Sequence, residues 1–317
     1  LAHRDLSKGW KEVRGIESRM RDDILDRAQV LCCTCIGSGH ELLDGRRFVR
    51  VLIDEATQAT EPATLVPLVR GARQAVLIGD HNQLPPTVIS RRAEGGGLGR
   101  SLFERLVEMG LQPFVLNTQY RMHPSISLFP NSQFYGGILE DGVSESERMA
   151  PSGLLWPDWD RPVAFLPVGG AEVLSPDGAS KENPEEVAWV VKILIDLLNP
   201  GDLAISDIGI VTPYAGQVRA IRDSIPESLQ SVEVRTVDGY QGREKDVIIF
   251  SCVRSNKDGN VGFLSDARRL NVAITRARRG LVVVGDPDTL RCDPNWGAWL
   301  EHIRSRNLEA WHLLGTA

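Results

Sequence analysis

The segment VLIDEATQATEP, residues 51–62, is an apolar run that ends in two adjacent carboxylates, Asp54 and Glu55. Acids at the carboxyl end of a parallel strand stand at the ligand edge of an α/β sheet. One such acid can hold Mg²⁺ through its waters. Its neighbour can orient and deprotonate an attacking water. A solvated acid pair opening the next helix is the competing reading. A second apolar run, AVLIGDHNQLPP at 75–86, also ends in polar groups. Gln83 there suits γ-phosphate sensing or water positioning, or is a plain loop glutamine, while Pro85 and Pro86 stiffen the chain beyond it.

Three more stretches carry chemistry. In QYRMHP, 119–124, Tyr120 offers an aromatic face for a base and Arg121 a fork for phosphate; a core tyrosine beside a surface arginine has the same pattern. In VDGYQGREKDVIIFSCVRSN, 237–256, Gly239 and Gly242 allow close backbone approach, and Arg243 and Glu244 precede a buried strand. In RRLNVAITRARRGLVVVGD, 268–286, Arg268, Arg269, Arg276, Arg278 and Arg279 crowd a helix ahead of a strand. An arginine there can act as a finger worth about 10³–10⁵ in rate, or can simply satisfy the dipole of a helix end.

These groups need a scaffold, and the chain reads as an alternating α/β sheet protein. Apolar, β-branched runs predict strands over 28–35, 49–53, 75–78, 114–116, 163–167, 208–212, 232–236, 246–252 and 281–284, and helical patterns cover 101–109, 184–198, 216–224 and 267–276. Residues 136–181, rich in Gly, Pro, Ser and acids, read as an insertion, and a domain boundary is expected near Asn117. Cys32 and Cys35 have CxxC spacing but no second pair follows, so a buried strand is preferred to zinc. Trp296 and Trp299, three apart, fit a packed helix face better than a stacking platform.

Composition sets the limits. The 317 residues suffice for two domains, and 42% apolar residues suffice for real cores. No run approaches the roughly 18 apolar residues of a membrane span. The charged start LAHRDLSKGW lacks an apolar signal core and an initiator Met, as a fragment or processed chain would. Five cysteines point to a reducing compartment, and the cytoplasm is expected, with the nucleus as alternative. The net charge of −6 excludes a globally basic binder, yet residues 235–280 hold ten Lys/Arg against five Asp/Glu, either a phosphate-binding face or a solvated surface.

DEATQ, GDHNQL, QYRMHP, VDGYQGREKD and NVAITRAR, in this order, resemble the motifs of superfamily 1 helicases, most closely the up-frameshift type of nonsense-mediated mRNA decay. The likeness runs from about residue 28 to the C-terminus. It implies an α/β fold of two RecA-like parallel-sheet domains, 1–117 and 118–317, the first incomplete at its N-terminus, with ATP in the cleft between and a single strand across the top. It implies that Asp54, with Glu55 beside it, serves Mg²⁺ and that Glu55 is the catalytic acid. By the same likeness Gln83 senses the γ-phosphate, Tyr120 stacks near adenine, Arg121 and Arg276 contact the γ-phosphate, and Glu244 approaches the ribose with Gly242 beside the nucleotide. Thr34, Pro213, Tyr214, Thr236 and Val237 would face the strand. The implied activity is ATP-driven 5′–3′ movement of a monomer on single-stranded RNA or DNA, with RNA-decay proteins as partners and no membrane.

The phosphate loop G-x-x-x-x-G-K-[ST] that this family uses is not in the sequence: no glycine precedes any of its six lysines. Two readings therefore stand: the C-terminal core of an ATP-driven helicase, or a motorless remnant that binds RNA or a protein.

Overall fold

The computed structural model describes residues 2–315. They form two compact units. One comprises the residues up to Gly79 together with Pro86–Phe103; the other joins Asp80–Pro85 to the chain from Glu104 onward. The division therefore falls between Phe103 and Glu104, short of Asn117, and the GDHNQL loop belongs with the second unit.

In the first unit, helix α1 (Ala2–Arg27) precedes a βαβ element: β1 (Arg50–Ile53), α2 (Glu61–Leu68) and β2 (Gln74–Leu77), with β1 and β2 parallel. The short α3 (Arg91–Gly95) follows. The strand expected over 28–35 does not form, because a strand exists only by pairing and the two-stranded sheet consists of β1 and β2 alone. Val30 is 79% exposed, and Cys32 and Cys33 lie on the surface rather than in a buried strand. The run 114–116 fails in the same way, with Phe114 fully exposed.

Helix α4 (Leu102–Glu108) spans the division, and the second unit continues with β3 (Thr118–Gln119), α5 (Pro124–Phe134) and β4 (Glu140–Asp141), which pairs with β3. Strand β5 (Val163–Pro167), a hairpin of β6 (Val173–Leu174) and β7 (Lys181–Glu182), α6 (Pro184–Leu198), β8 (Ile208–Thr212), α7 (Ala215–Ser224), β9 (Glu233–Thr236), β10 (Lys245–Ser251), α8 (Ala267–Ile274) and β11 (Ala277–Gly285) follow. Helices α9 (Pro287–Leu290), α10 (Pro294–Ser305) and α11 (Trp311–Leu314) close the chain. The main sheet has the order β5-β11-β10-β8-β9 and every pairing in it is parallel.

A parallel sheet covered on both faces needs strands that are apolar at every position. All five residues of β5 and of β8 are buried accordingly. Alternate side chains enter opposite cores. Phe165, Val211, Ile248, Phe250 and Val283 meet one core with residues of α5, α8 and α10. Leu166, Ile210, Ile249, Val282 and Val284 meet the other with α6 and α7. Trp296 and Trp299 are buried in the first core, as their spacing predicts.

Helix α6 carries a buried acid. Ser251 Oγ and the Val253 N–H donate to Glu186 Oε2 at 2.6 and 2.8 Å, and Gln217 Nε2 donates to Ser251 Oγ at 2.9 Å. Burial pushes the Glu186 carboxyl from 4.5 up to about 8. Since the folded value is raised, its contribution to stability is whole below about pH 4.5 and is lost as pH rises through about 8. Glu186→Gln keeps the shape and cannot ionise, so it is expected to remain stable where wild type weakens. The gain should be roughly 1–3 kcal/mol by about pH 8, read from urea midpoints between about pH 5 and pH 8. Parallel pH profiles for the two proteins would refute it.

Candidate nucleotide and strand sites

In the first unit β1 ends at buried Ile53, and Asp54 and Glu55 emerge exposed at its carboxyl end. The Glu55 N–H donates to Asp54 Oδ1 at 3.0 Å, and Gln58 Nε2 donates to Glu55 Oε2 at 2.5 Å. Glu55 has a left-handed backbone, φ 52°. Ala56 and Thr57 then turn inward. At Gly79, beyond β2, an added Cβ would lie 2.9 Å from Thr57 Cγ2, so only glycine lets the ends of β1 and β2 close up. Two exposed carboxylates are hard oxygen donors of the kind Mg²⁺ takes. Thr34 is exposed, its Oγ1 accepting the Gly37 N–H at 3.0 Å.

In the second unit the candidates for nucleotide contact gather at the amino edge of the main sheet. Arg276 immediately precedes β11; α8 has already ended at Ile274, and Arg278 and Arg279 are strand residues paired with Asp246, so the arginines do not all crowd the helix. Arg276 is only 3% exposed. Its Nε donates to Val272 O at 3.0 Å, and its Nη2 reaches Thr275 Oγ1 and Gln83 Oε1, both at 3.1 Å. Arg121 Nε donates to Glu244 Oε2 at 2.5 Å and its Nη1 to Thr275 O at 3.1 Å. Burial would raise the Glu244 carboxyl, but the Arg121 hydrogen bond together with the charges of Arg121, Arg278 and Arg276 outweighs it and holds the group below the usual range. Arg148 clamps this loop from behind, donating to the carbonyls of Arg121 and Tyr120 at 2.9 and 3.0 Å. Tyr120 is 67% exposed, and Gly142 beside it has no room for a side chain, since a Cβ would come within 2.4 Å of the ring. Gly242 has φ +73° and open space where a Cβ would stand, which suits close approach of a ligand to backbone.

Behind Gln83 lies a polar chain that sequence reasoning missed. Gln83 Nε2 and the Tyr135 hydroxyl both donate to Asp80 Oδ2, at 2.8 and 2.6 Å. Asn271 Nδ2 donates to the Tyr135 oxygen at 2.8 Å and to Asn82 O at 2.9 Å. Burial, reinforced by Asp80, holds the Tyr135 phenol well above its usual range, so it stays protonated. Leu84 anchors the same loop in the first core.

The strand-facing candidates lie at the other edge. Pro213 and Tyr214 follow β8, and Val237 follows β9, whose last residue is Thr236. With about 3.3 Å per residue, the two edges are on the order of 15 Å apart. Tyr214 is 5% exposed, and its oxygen accepts from Arg254 Nη1 at 3.1 Å and the Phe263 N–H at 3.3 Å. Val237 is a core residue, 1% exposed. Thr236 is half-buried, its Oγ1 accepting the Gly239 N–H at 3.3 Å. The accessible aromatic here is Phe263, 57% exposed, its ring 5.3 Å from that of Tyr214 and 5.5 Å from the Arg269 guanidinium. Its one sequence signal is an apolar residue in the polar loop RSNKDGNVGF. A cleft of about 720 Å³ opens beside it, lined by Leu174, Lys181, Tyr214, Arg254 and Asn256. Glu172 braces that wall: burial would raise its carboxyl, but hydrogen bonds from Arg254, Lys181, Asn256 and the Ser255 N–H take it down to about 2. The basic excess of 235–280 is largely ion-paired, since Glu233 meets Arg235, Arg243 and Lys245, and Glu172 meets Arg254.

Parallel strands covered on both faces, with polar and charged groups gathered at their ends, define a doubly wound α/β protein built to bind ligands at its sheet edges. The chain belongs to the AAA-domain family: one AAA domain model matches residues 98–288 and a second matches residues 2–91. It is 45% identical over 306 residues to a regulator of nonsense transcripts 1 homolog of Arabidopsis thaliana, covering 94% of this chain and 24% of the relative. It is 43% identical over 314 residues to the ATP-dependent helicase NAM7 of Saccharomyces cerevisiae, covering 96% and 32%. The regulator of nonsense transcripts 1 of Caenorhabditis elegans is 46% identical over 294 residues, covering 90% and 27%. The chain thus spans about a quarter to a third of the length of the curated relatives it matches. The solved structure of PRRSV helicase covers 75% of the chain and 34% of its own, at 18% identity and a TM-score of 0.39. The likeness to up-frameshift-type helicases and the α/β fold with a parallel sheet are borne out.

Proposed function

We propose that this chain is the C-terminal core of an ATP-dependent superfamily 1 helicase that moves 5′ to 3′ along single-stranded RNA, with DNA as the alternative, in RNA surveillance in the cytoplasm. The observation that carries the proposal is the hydrogen bond of 3.1 Å from Arg276 Nη2 to Gln83 Oε1, across 193 residues of sequence. A buried arginine needs acceptors, but Val272 O and Thr275 Oγ1 beside it already serve, so a glutamine from a distant loop is not required for that alone. Gln83 and Arg276 both suit the charge that develops on a transferring γ-phosphoryl group. Asp54 and Glu55 would hold Mg²⁺, which neutralises phosphate charge when bound. Arg121 and Arg276 would grip the γ-phosphate, Glu244 and Gly242 would lie by the sugar, and Tyr120 would offer its face to the base. Phe263 and the cleft beside it would receive the strand, with stacking the sequence-tolerant source of affinity.

Arginines at the γ end do not replace a phosphate loop, whose backbone N–H nest and lysine neutralise the β- and γ-phosphates. The 317-residue chain alone is therefore expected to show no strand-stimulated ATPase activity, whereas a longer chain that includes an upstream phosphate loop should show it. Steady-state turnover at saturating single-stranded RNA compares the two. Absence of turnover in the longer chain, with strand binding retained, would favour the motorless binding module.

A further inference from the structure

We propose that Tyr135 is a positioning residue: through Asp80 it fixes the orientation of the Gln83 amide, so that Gln83 and Arg276 act as one unit. This rests on the functional reading above.

Hydrogen-bond polarity links these side chains in one direction. Asp80 is a carboxylate and can only accept. Its Oδ1 takes the Asn82 N–H at 2.9 Å, and its Oδ2 takes the Tyr135 hydroxyl proton at 2.6 Å and Gln83 Nε2 at 2.8 Å. The tyrosine has one proton, spent on Asp80, so it must accept from Asn271, which presents Nδ2 at 2.8 Å. Asn271 has its amide oriented in turn, and among the described residues its buried Oδ1 finds no partner. At the far end, a Gln83 amide that gives its N–H₂ to Asp80 must turn its oxygen to the Arg276 fork, 3.1 Å away. Reversing that amide would set carbonyl against carboxylate and N–H₂ against guanidinium, both repulsive. The chain therefore admits one polarity, set by Asp80 and held by Tyr135 and Asn271.

Deleting the Tyr135 hydroxyl leaves Gln83 Nε2 alone on Asp80 Oδ2, so the carboxylate, still held at Oδ1 by the Asn82 N–H, is less firmly fixed and the amide bonded to it is less precisely placed. Nothing is lost that would touch ground-state nucleotide. In the full-length protein, Tyr135→Phe is expected to lower kcat about tenfold, the worth of one hydrogen bond to a charged group. KM for ATP and affinity for a single strand should hold within about twofold. In Gln83→Ala the tyrosine has nothing left to position, so Tyr135→Phe should add no further loss there. Tyr240→Phe is the control, since among the described residues that buried hydroxyl has no partner. Losses that multiply in the double variant, an equal loss in Tyr240→Phe, or an unchanged kcat in Tyr135→Phe would overturn the inference. Amide exchange across residues 80–85 provides a readout independent of turnover. Faster exchange in Tyr135→Phe supports positioning even in a protein that proves to have no ATPase activity, and unchanged exchange overturns it.

Discussion

Arg276→Ala in the full-length protein is expected to slow ATP turnover a thousandfold or more, the low end for an arginine finger, while nucleotide-free strand binding stays near wild type. The guanidinium sits at the amino edge of the main sheet, whereas Tyr214, Arg254 and Phe263 lie beyond the carboxyl ends of its strands. Loss of the fork thus removes charge stabilisation without touching the opposite edge. Alanine also strips the donors from Val272 O, Thr275 Oγ1 and Gln83 Oε1, so local damage must be separated from lost chemistry. Arg276→Lys separates them, because it keeps the charge and most of the packing but loses the planar fork. Both variants should fail in single-turnover hydrolysis, the lysine variant with near-native melting. Turnover within about threefold of wild type in the alanine variant would show that Arg276 is no finger.

The next largest effect is expected at Glu55. Glu55→Gln removes a base and keeps the shape, so hydrolysis should fall by about 10²–10⁴ while nucleotide binding survives. Asp54→Asn should act differently. Its Oδ1 orients the Glu55 N–H, at 3.0 Å, and its charge is the one proposed to draw in the metal. Its variant should bind Mg²⁺-nucleotide more weakly, and added Mg²⁺ should restore part of the loss. Titration of nucleotide at several Mg²⁺ concentrations distinguishes the two. Identical binding defects would mean that the acids do not divide the labour.

Legibility in the sequence followed the physics of each element. Strands β5 and β8 and helix α6 match the ranges read from the pattern, because short, mostly apolar runs and an Asn-Pro helix start are local signals. The runs 28–35 and 114–116 have equally apolar patterns and form no strand, since pairing is not a property of the segment. Asp54 and Glu55 were legible because the strand that presents them is adjacent in sequence. The Asp80–Tyr135–Asn271 chain was not, because its members are brought together only by tertiary folding. Nor does an aromatic residue in a loop announce its exposure: Tyr214 is buried by two hydrogen bonds to its oxygen, and Phe263 takes the open position.

The left-handed backbone at Glu55 has a consequence for how such a sequence is maintained. A non-glycine residue held there with φ 52° costs on the order of 1–2 kcal/mol that glycine would not, and asparagine less than glutamate. Drift toward a more comfortable residue at position 55 would therefore raise thermal stability while discarding the acid. Given the role proposed for Glu55, selection for robustness and selection for chemistry pull in opposite directions at this one position. A library screened on folding alone would enrich sequences without the acid, and by the role proposed for Glu55 the glutamate persists only where hydrolysis itself is under selection.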